Sequence, residues 1–292
     1  MREGHSPLGV IQDARRLGID SVIVGVSGGM DSVVTLDLCV RNFATVRPYF
    51  MYVVPGLEFQ ERYLTYLERR FGVTIERMPH WMLARILQAG TFRHATQAAS
   101  SLRQCRPADA FAFVRRKFGL QWIATGEKAS DSLERNTQYV RDGAIQPSRS
   151  RFYPLAWWSS SDVQTYLASQ RIVLPPDYRL NAQNHAAVRR RRGASFGGII
   201  TLADLLAISE HYPNDFAKIC RLFPLAEAQL TRWKQLNARG LVAEKSTSEV
   251  CRRANQRRKR AADPSSAGGE HGEGIRGEGV EGEVENEQAS GG

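Results

Sequence analysis

The chain has 292 residues, 42% of them apolar, and a formal charge of +10 from 40 Lys and Arg against 30 Asp and Glu. That length gives one or two domains with a sizeable core. No apolar run reaches the ~18 residues of a membrane helix, and Met1 to Ser6 lack the apolar core of a signal peptide, so neither a membrane partner nor export is expected. The four cysteines, Cys39, Cys105, Cys220 and Cys251, form no Cys-x-x-Cys pair. Their scatter points to a cytoplasmic chain with reduced thiols and away from a zinc site or an iron–sulfur cluster.

In chain order, Ser6 to Leu17 has the pattern of a short helix. Asp20 to Val26 is β-branched and apolar and predicts a buried strand. It stops abruptly at Ser27-Gly28-Gly29, and Asp31, Ser32 and a helical run to Asn42 follow. A strand feeding a tight glycine turn into a helix aims backbone N–H groups and the positive end of the helix dipole at one spot, which makes an anion site. Glycine lets the backbone approach a phosphate closely, and Ser27 and Ser32 add hydroxyls. The loop lacks the Gly-Lys-Ser/Thr ending of a Walker A motif and the Gly-x-Gly-x-x-Gly of a dinucleotide turn. Asp31 either holds Mg²⁺ or caps the helix that follows.

Further on, Arg47 to Val54 predicts a second strand, Glu58 to Phe71 a helix stopped by Gly72, and Val73 to Met78 a third strand. Trp81 to Gln88 reads as helical, whereas Thr91 to Gln104 is ambiguous. Pro107 opens a helix that Gly119 stops, and Leu120 to Thr125 is the fourth strand. Arg151 to Leu155 reads as a short strand, and Ser159 or Ser161 caps a helix running to Ser169. Leu174 to Tyr178 is a loop. Thr201 to His211, Asn214 to Leu222 and Leu225 to Arg239 are helices, the first two divided by Pro213. The β–α alternation predicts an α/β fold, a doubly wound, mostly parallel sheet with helices on both faces and a helical C-terminal appendage. The expected organisation is a nucleotide-binding domain over residues 1–200, a helical region over 201–261 and a disordered acidic Gly/Glu-rich tail over 262–292.

Two basic clusters stand out, Arg189 to Arg192 and Arg252 to Arg260. They read either as a nucleic-acid surface or as a solvated basic face balanced by the acidic tail.

The segment Ser27-Gly28-Gly29-Met30-Asp31-Ser32 resembles the pyrophosphate loop of the adenine nucleotide α-hydrolase-like superfamily. That superfamily includes ATP pyrophosphatases and phosphoadenosine phosphosulfate (PAPS) reductases. Thr125-Gly126-Glu127-Lys128-Ala129-Ser130-Asp131-Ser132-Leu133-Glu134-Arg135 is similar to a PAPS-reductase segment in which a strand ends in Gly, then charged residues, Ser and Arg. The Pro154-Leu155-Ala156-Trp157-Trp158 run and Asp162-Val163 resemble a third family segment, with a Pro-containing loop from Leu174 to Leu180 after it. The resemblance spans Ile19 to Tyr178 and identifies the chain as PAPS-reductase-like. It implies that Ser27, Gly28, Gly29, Asp31, Ser32, Gly126 and Ser132 bind the nucleotide or its pyrophosphate. It also implies that Asp31, Lys128 and Arg135 act in catalysis, Lys128 and Arg135 by neutralising phosphate or sulfate charge. The implied ligands are ATP or a PAPS-type adenine nucleotide with Mg²⁺.

The chain departs from the family in two places. Met30 stands where the reductases commonly carry lysine. The Glu-Cys-Gly-Leu-His motif, whose cysteine attacks the sulfonyl group in the reductases, is absent. Three functions therefore stay open. One is ATP pyrophosphatase or adenylyl-transfer chemistry, or sulfur transfer, with a nucleic acid as an acceptor held by the arginine clusters. Another is thiol-dependent reduction through Cys105 or Cys251. The last is a non-enzymatic nucleotide- or nucleic-acid-binding protein. A partner subunit or a homo-oligomer is compatible with each.

Overall fold

The computed structural model describes residues 6–94, 96–175 and 201–239. Helix α1 (Pro7–Arg16) leads into β1 (Ser21–Gly25), α2 (Met30–Asn42), β2 (Thr45–Tyr52), α3 (Glu58–Phe71) and β3 (Glu76–Pro79). Short helices α4 (Leu83–Gln88) and α5 (Gln97–Ser100) precede α6 (Pro107–Phe118) and β4 (Ile123–Ala124). Then come α7 (Leu133–Asp142), β5 (Ile145–Gln146), β6 (Arg151–Phe152) and α8 (Ser160–Ser169). Three helices follow: α9 (Leu202–His211), α10 (Pro213–Leu222) and α11 (Ala226–Ala238).

The six strands form one sheet in the order β3-β2-β1-β4-β6-β5. Every neighbouring pair is parallel except β5 and β6, a short antiparallel hairpin at the edge. The chain winds outward from β1 to β3 and then returns to the other side of β1, so the winding reverses between β1 and β4. Ligands of doubly wound sheets bind outside the strand ends at that reversal.

Burial of β1 shows why the run from Val22 to Val24 is apolar without alternation. All three residues are 0% exposed, because both faces of the sheet are covered. Val22 and Val24 face a core with Val10 and Ile11 of α1, Val33 and Leu36 of α2 and Val163 of α8. Ile23, one residue out of phase, packs with Tyr49, Met78 and Ile123 against Ala110 and Val114 of α6. Gly72 and Gly119 end α3 and α6 in the left-handed region, at φ of 65° and 64°. Ser159 caps α8 in a reciprocal box with Asp162.

The C-terminal helices pack on the domain through a separate cluster. Leu205, Ile208, Ile219 and Phe223 meet Val53, Val54, Leu57 and Phe59, which follow β2. A polar lock joins the same surfaces. Asp215, 1% exposed, accepts the N–H groups of Glu58 (2.8 Å) and Phe59 (3.1 Å), so a residue of α10 caps α3. Lys218 Nζ pairs with that carboxylate at 2.9 Å and donates to the Gly56 carbonyl at 2.8 Å.

The expected fold class holds, with shifts in detail. The stretch after Ser132, for which the sequence predicts no element, contains α7, and the same holds for the hairpin strand β5. Pro213 does not merely separate two helices; it occupies the first position of α10, where its missing N–H costs nothing. Of the loop expected from Leu174 onward, only Leu174 and Pro175 lie within the described residues. Cys251, the arginine clusters at 189–192 and 252–260 and the tail at 262–292 lie outside them.

Candidate nucleotide site

The β1–α2 loop folds on its two serines. Ser27 N–H donates to Ser32 Oγ at 3.1 Å, the two hydroxyl oxygens are 3.2 Å apart, and Ser32 Oγ donates to the Gly29 carbonyl at 2.8 Å. Gly28 takes φ of 78°, which makes the turn tight enough for these bonds. Gly29 is the N-cap of α2 and supplies no side-chain cap. Asp31 lies inside the first turn, and its carboxylate turns toward Lys128, not back to cap the helix.

The second loop meets the first at the winding reversal. Val24 of β1 pairs with Ala124 of β4, so both chains leave the sheet side by side. Gly126 then comes against the first loop so closely that a Cβ there would lie 2.7 Å from the Asp31 carbonyl carbon and oxygen. Only glycine allows that approach.

Charge joins the same two loops. Lys128 is 2% exposed, and its Nζ lies 2.5 Å from Asp31 Oδ2 and 3.2 Å from Asp131 Oδ1. Asp131 also accepts the Lys128 N–H at 2.9 Å and Arg135 Nη1 at 3.1 Å, and Arg135 Nε reaches Glu127 at 3.5 Å. Burial raises the Asp31 carboxyl above its ordinary value, an effect that the hydrogen bond and charge of Lys128 oppose without reversing. Three carboxylates therefore share two cations in this cluster.

The third family-like segment supports the second loop from behind. Ala129 N–H donates to the Ala156 carbonyl at 2.7 Å, and Ser130 Oγ donates to the Trp158 carbonyl at 3.3 Å. Ser132 caps α7 by accepting the Arg135 N–H at 3.2 Å.

Beside the paired loops opens a cleft of about 480 Å³ across the ends of β1, β2 and β4. Of the residues expected in the site, Ser27 and Arg135 line it, as do Thr125 and Glu127 on either side of Gly126. Ser132 instead lines a shallower depression with Ala129, Trp157 and Trp158. Lys128 is committed to its two carboxylates, which makes it the tie between the loops. Sequence reasoning missed much of the wall: Tyr49, Gln60, His80 and Trp81 also line the cleft. The Tyr49 hydroxyl, buried, has its pKa pushed up to about 12. Burial lowers His80, whose Nδ1 accepts the Met82 N–H at 3.1 Å, so its neutral tautomer carries the proton on Nε2. The position of β2 and β3 next to β1 is the signal that would have found these residues.

Among the described residues no cysteine lines this cleft. Cys39 is fully buried and its thiol is pushed up by desolvation, Cys220 is half-buried on α10, and Cys105 is exposed elsewhere. Among the described residues no group of three His, Cys, Asp or Glu side chains could hold a metal ion.

The sequence model of the phosphoadenosine phosphosulfate reductase domain matches residues 21–181. No curated protein matches the chain. Among solved structures, a phosphoadenylyl-sulfate reductase from Candida auris in a phosphate complex is 14% identical. That match covers 58% of this chain and 82% of the other, with a TM-score of 0.40. An NH₃-dependent NAD synthetase from Campylobacter jejuni is 10% identical over 77% of this chain and 90% of the other, with a TM-score of 0.41. The U34-tRNA thiolase NcsA from Methanococcus maripaludis, solved with its [4Fe–4S] cluster, is 12% identical over 79% and 84%, with a TM-score of 0.35.

Proposed function

This chain belongs to the phosphoadenosine phosphosulfate reductase domain family, and on that premise we propose that it is an adenylyl-transferring enzyme that binds ATP in the cleft beside Ser27. The observation that carries the reading is the close packing of Gly126 on Asp31, with Lys128 buried between Asp31 and Asp131. This arrangement carries a free-energy cost, because a lysine is desolvated and a backbone contact admits no side chain, and such costs cluster at ligand sites.

In this reading the β- and γ-phosphates sit at the Ser27–Ser32 turn, against the uncapped N-terminus of α2. An acceptor oxygen attacks the α-phosphorus, the bond from that phosphorus to the β-phosphate bridging oxygen breaks, and pyrophosphate leaves with the electron pair. The loop amides and the Ser27 and Ser32 hydroxyls stabilise the charge that develops on the leaving group. Arg135, on the cleft wall and held by Asp131 and Glu127, would supply positive charge to the phosphates. Among the described residues no three-ligand group is present, so a divalent cation would arrive with the nucleotide, held chiefly by its phosphates, with Asp31 as a single protein carboxylate beside it. Mg²⁺ in that place supplies charge neutralisation when bound.

A reductase reading finds less support, since no cysteine among the described residues lines this cleft. Incubation with ATP labelled at the α-phosphate tests the proposal. We expect AMP or an adenylylated product with stoichiometric pyrophosphate, slowed about 10-fold or more in Asp31→Asn. Formation of ADP and orthophosphate, or sulfite release from PAPS that one Cys→Ser change abolishes, would overturn it.

A further inference from the structure

A second, larger cleft of about 710 Å³ adjoins the first and shares His80 and Trp81 with it. Its walls come from the end of β3, from α4 and from α6, and they are mostly apolar: Met78, Leu83, Leu87, Leu102 and Phe113. Leu102 and Phe113 are 41% and 43% exposed, which leaves them open to a ligand's apolar body. Three charged residues border the cleft. Asp109 is committed to the start of α6, where it accepts the Arg106 N–H at 2.7 Å. Arg103 and Arg116 are both exposed and have no acidic partner among the described residues. An apolar trough with two available guanidinium groups and one engaged carboxylate is complementary to an apolar body bearing an anionic head.

We propose that this cleft binds a small organic acid, an aryl or alkyl carboxylate, with its hydrocarbon against Leu87 and Phe113 and its anion at Arg103 and Arg116. The shared wall of His80 and Trp81 puts such a ligand next to the first cleft. Its role as the acceptor rests on the nucleotide reading above, whereas its binding does not.

Cys105, exposed in the wall of this cleft, supplies the reporter. In the full chain carrying Cys220→Ser and Cys251→Ser, with Cys39 fully buried, alkylation of Cys105 by iodoacetamide is followed by mass spectrometry. 2-Naphthoate should slow alkylation saturably, with a dissociation constant on the order of 1 mM for a ligand of that size. The neutral 2-naphthamide should bind about 10-fold more weakly, and Arg103→Glu with Arg116→Glu should weaken naphthoate by about the same factor. ATP binding is measured on the same samples. Naphthoate protection without ATP binding upholds the acid site and removes the nucleotide reading. ATP binding with no naphthoate protection, or equal protection by acid and amide, overturns the acid site.

Discussion

Replacing Lys128 by Met keeps most of the buried stem and removes the charge that ties the two loops. It strands Asp31, which lay 2.5 Å from Nζ, while Asp131, 3.2 Å from Nζ, keeps Arg135 as its cation. Breaking a fully buried ion pair costs about 3–5 kcal/mol. Here the lysine is 2% exposed, but the two carboxylates retain 36% and 28% of their exposure, so solvent screens part of the loss. A cost of about 2–3 kcal/mol follows. Adding Asp31→Asn should return about 1 kcal/mol or more, because the second change removes the stranded charge. The sign of the pH dependence is fixed as well. Burial already raises Asp31 in the native protein, and loss of Lys128 raises it further. A native state that holds a proton more tightly than the unfolded chain loses stability as pH rises, so the Lys128→Met deficit should shrink toward acid pH. Urea unfolding followed by circular dichroism at two pH values measures all three quantities. A deficit below about 0.5 kcal/mol, or a double variant less stable than Lys128→Met, would refute the tie between the loops.

Three further outcomes follow from the same contacts. Gly126→Ala forces a Cβ to within 2.7 Å of the Asp31 backbone, so the loops must part; urea unfolding should show a loss of about 1–3 kcal/mol. Asp215→Ala removes the cap of α3 and strands Lys218, and the same assay should show about 2–3 kcal/mol, with Asp215→Asn less affected. His80 sits below its ordinary value of 6.5 because it is buried neutral, so its contribution is complete above pH 6.5 and is lost as pH falls through that value and below. In His80→Gln the stability difference between pH 7.5 and pH 5.5 should be smaller than in the native chain, as thermal unfolding at the two pH values would show.

The part of the fold legible in the sequence is the part whose signals are local. Val22 to Val24 announce a doubly covered strand, Gly72 and Gly119 announce helix ends, and Ser159 with Asp162 announces a helix start. Helix α7 escaped because it has little to bury: Tyr139 is its one buried residue, while Leu133 and Val140 are 82% and 71% exposed. Strand β5 spans two residues, too short for a period to show, whereas β4 and β6, just as short, fall inside the strands read at Leu120 to Thr125 and Arg151 to Leu155. The two loops of the candidate site were legible as motifs, and their joining was not. Lys128 is expected from the motif to neutralise phosphate or sulfate charge, and the pairing of Val24 with Ala124 carries it to Asp31 instead. Arg135 was legible as a cation near the site, but its orientation depends on Asp131 and Glu127, which only the turn after Gly126 brings around it. The cleft wall from Tyr49, Gln60, His80 and Trp81 depends on sheet order, which the sequence does not state.

Equilibrium dialysis with Mg²⁺ and labelled ATP tests the central claim most directly, alongside adenylyl sulfate and PAPS, on the native chain and on Gly126→Ala. The account predicts saturable, one-to-one binding of ATP that Gly126→Ala weakens about 10-fold or more in a protein that remains folded. Failure of all three adenine nucleotides to bind the folded native chain would contradict it, as would ATP binding unchanged by Gly126→Ala.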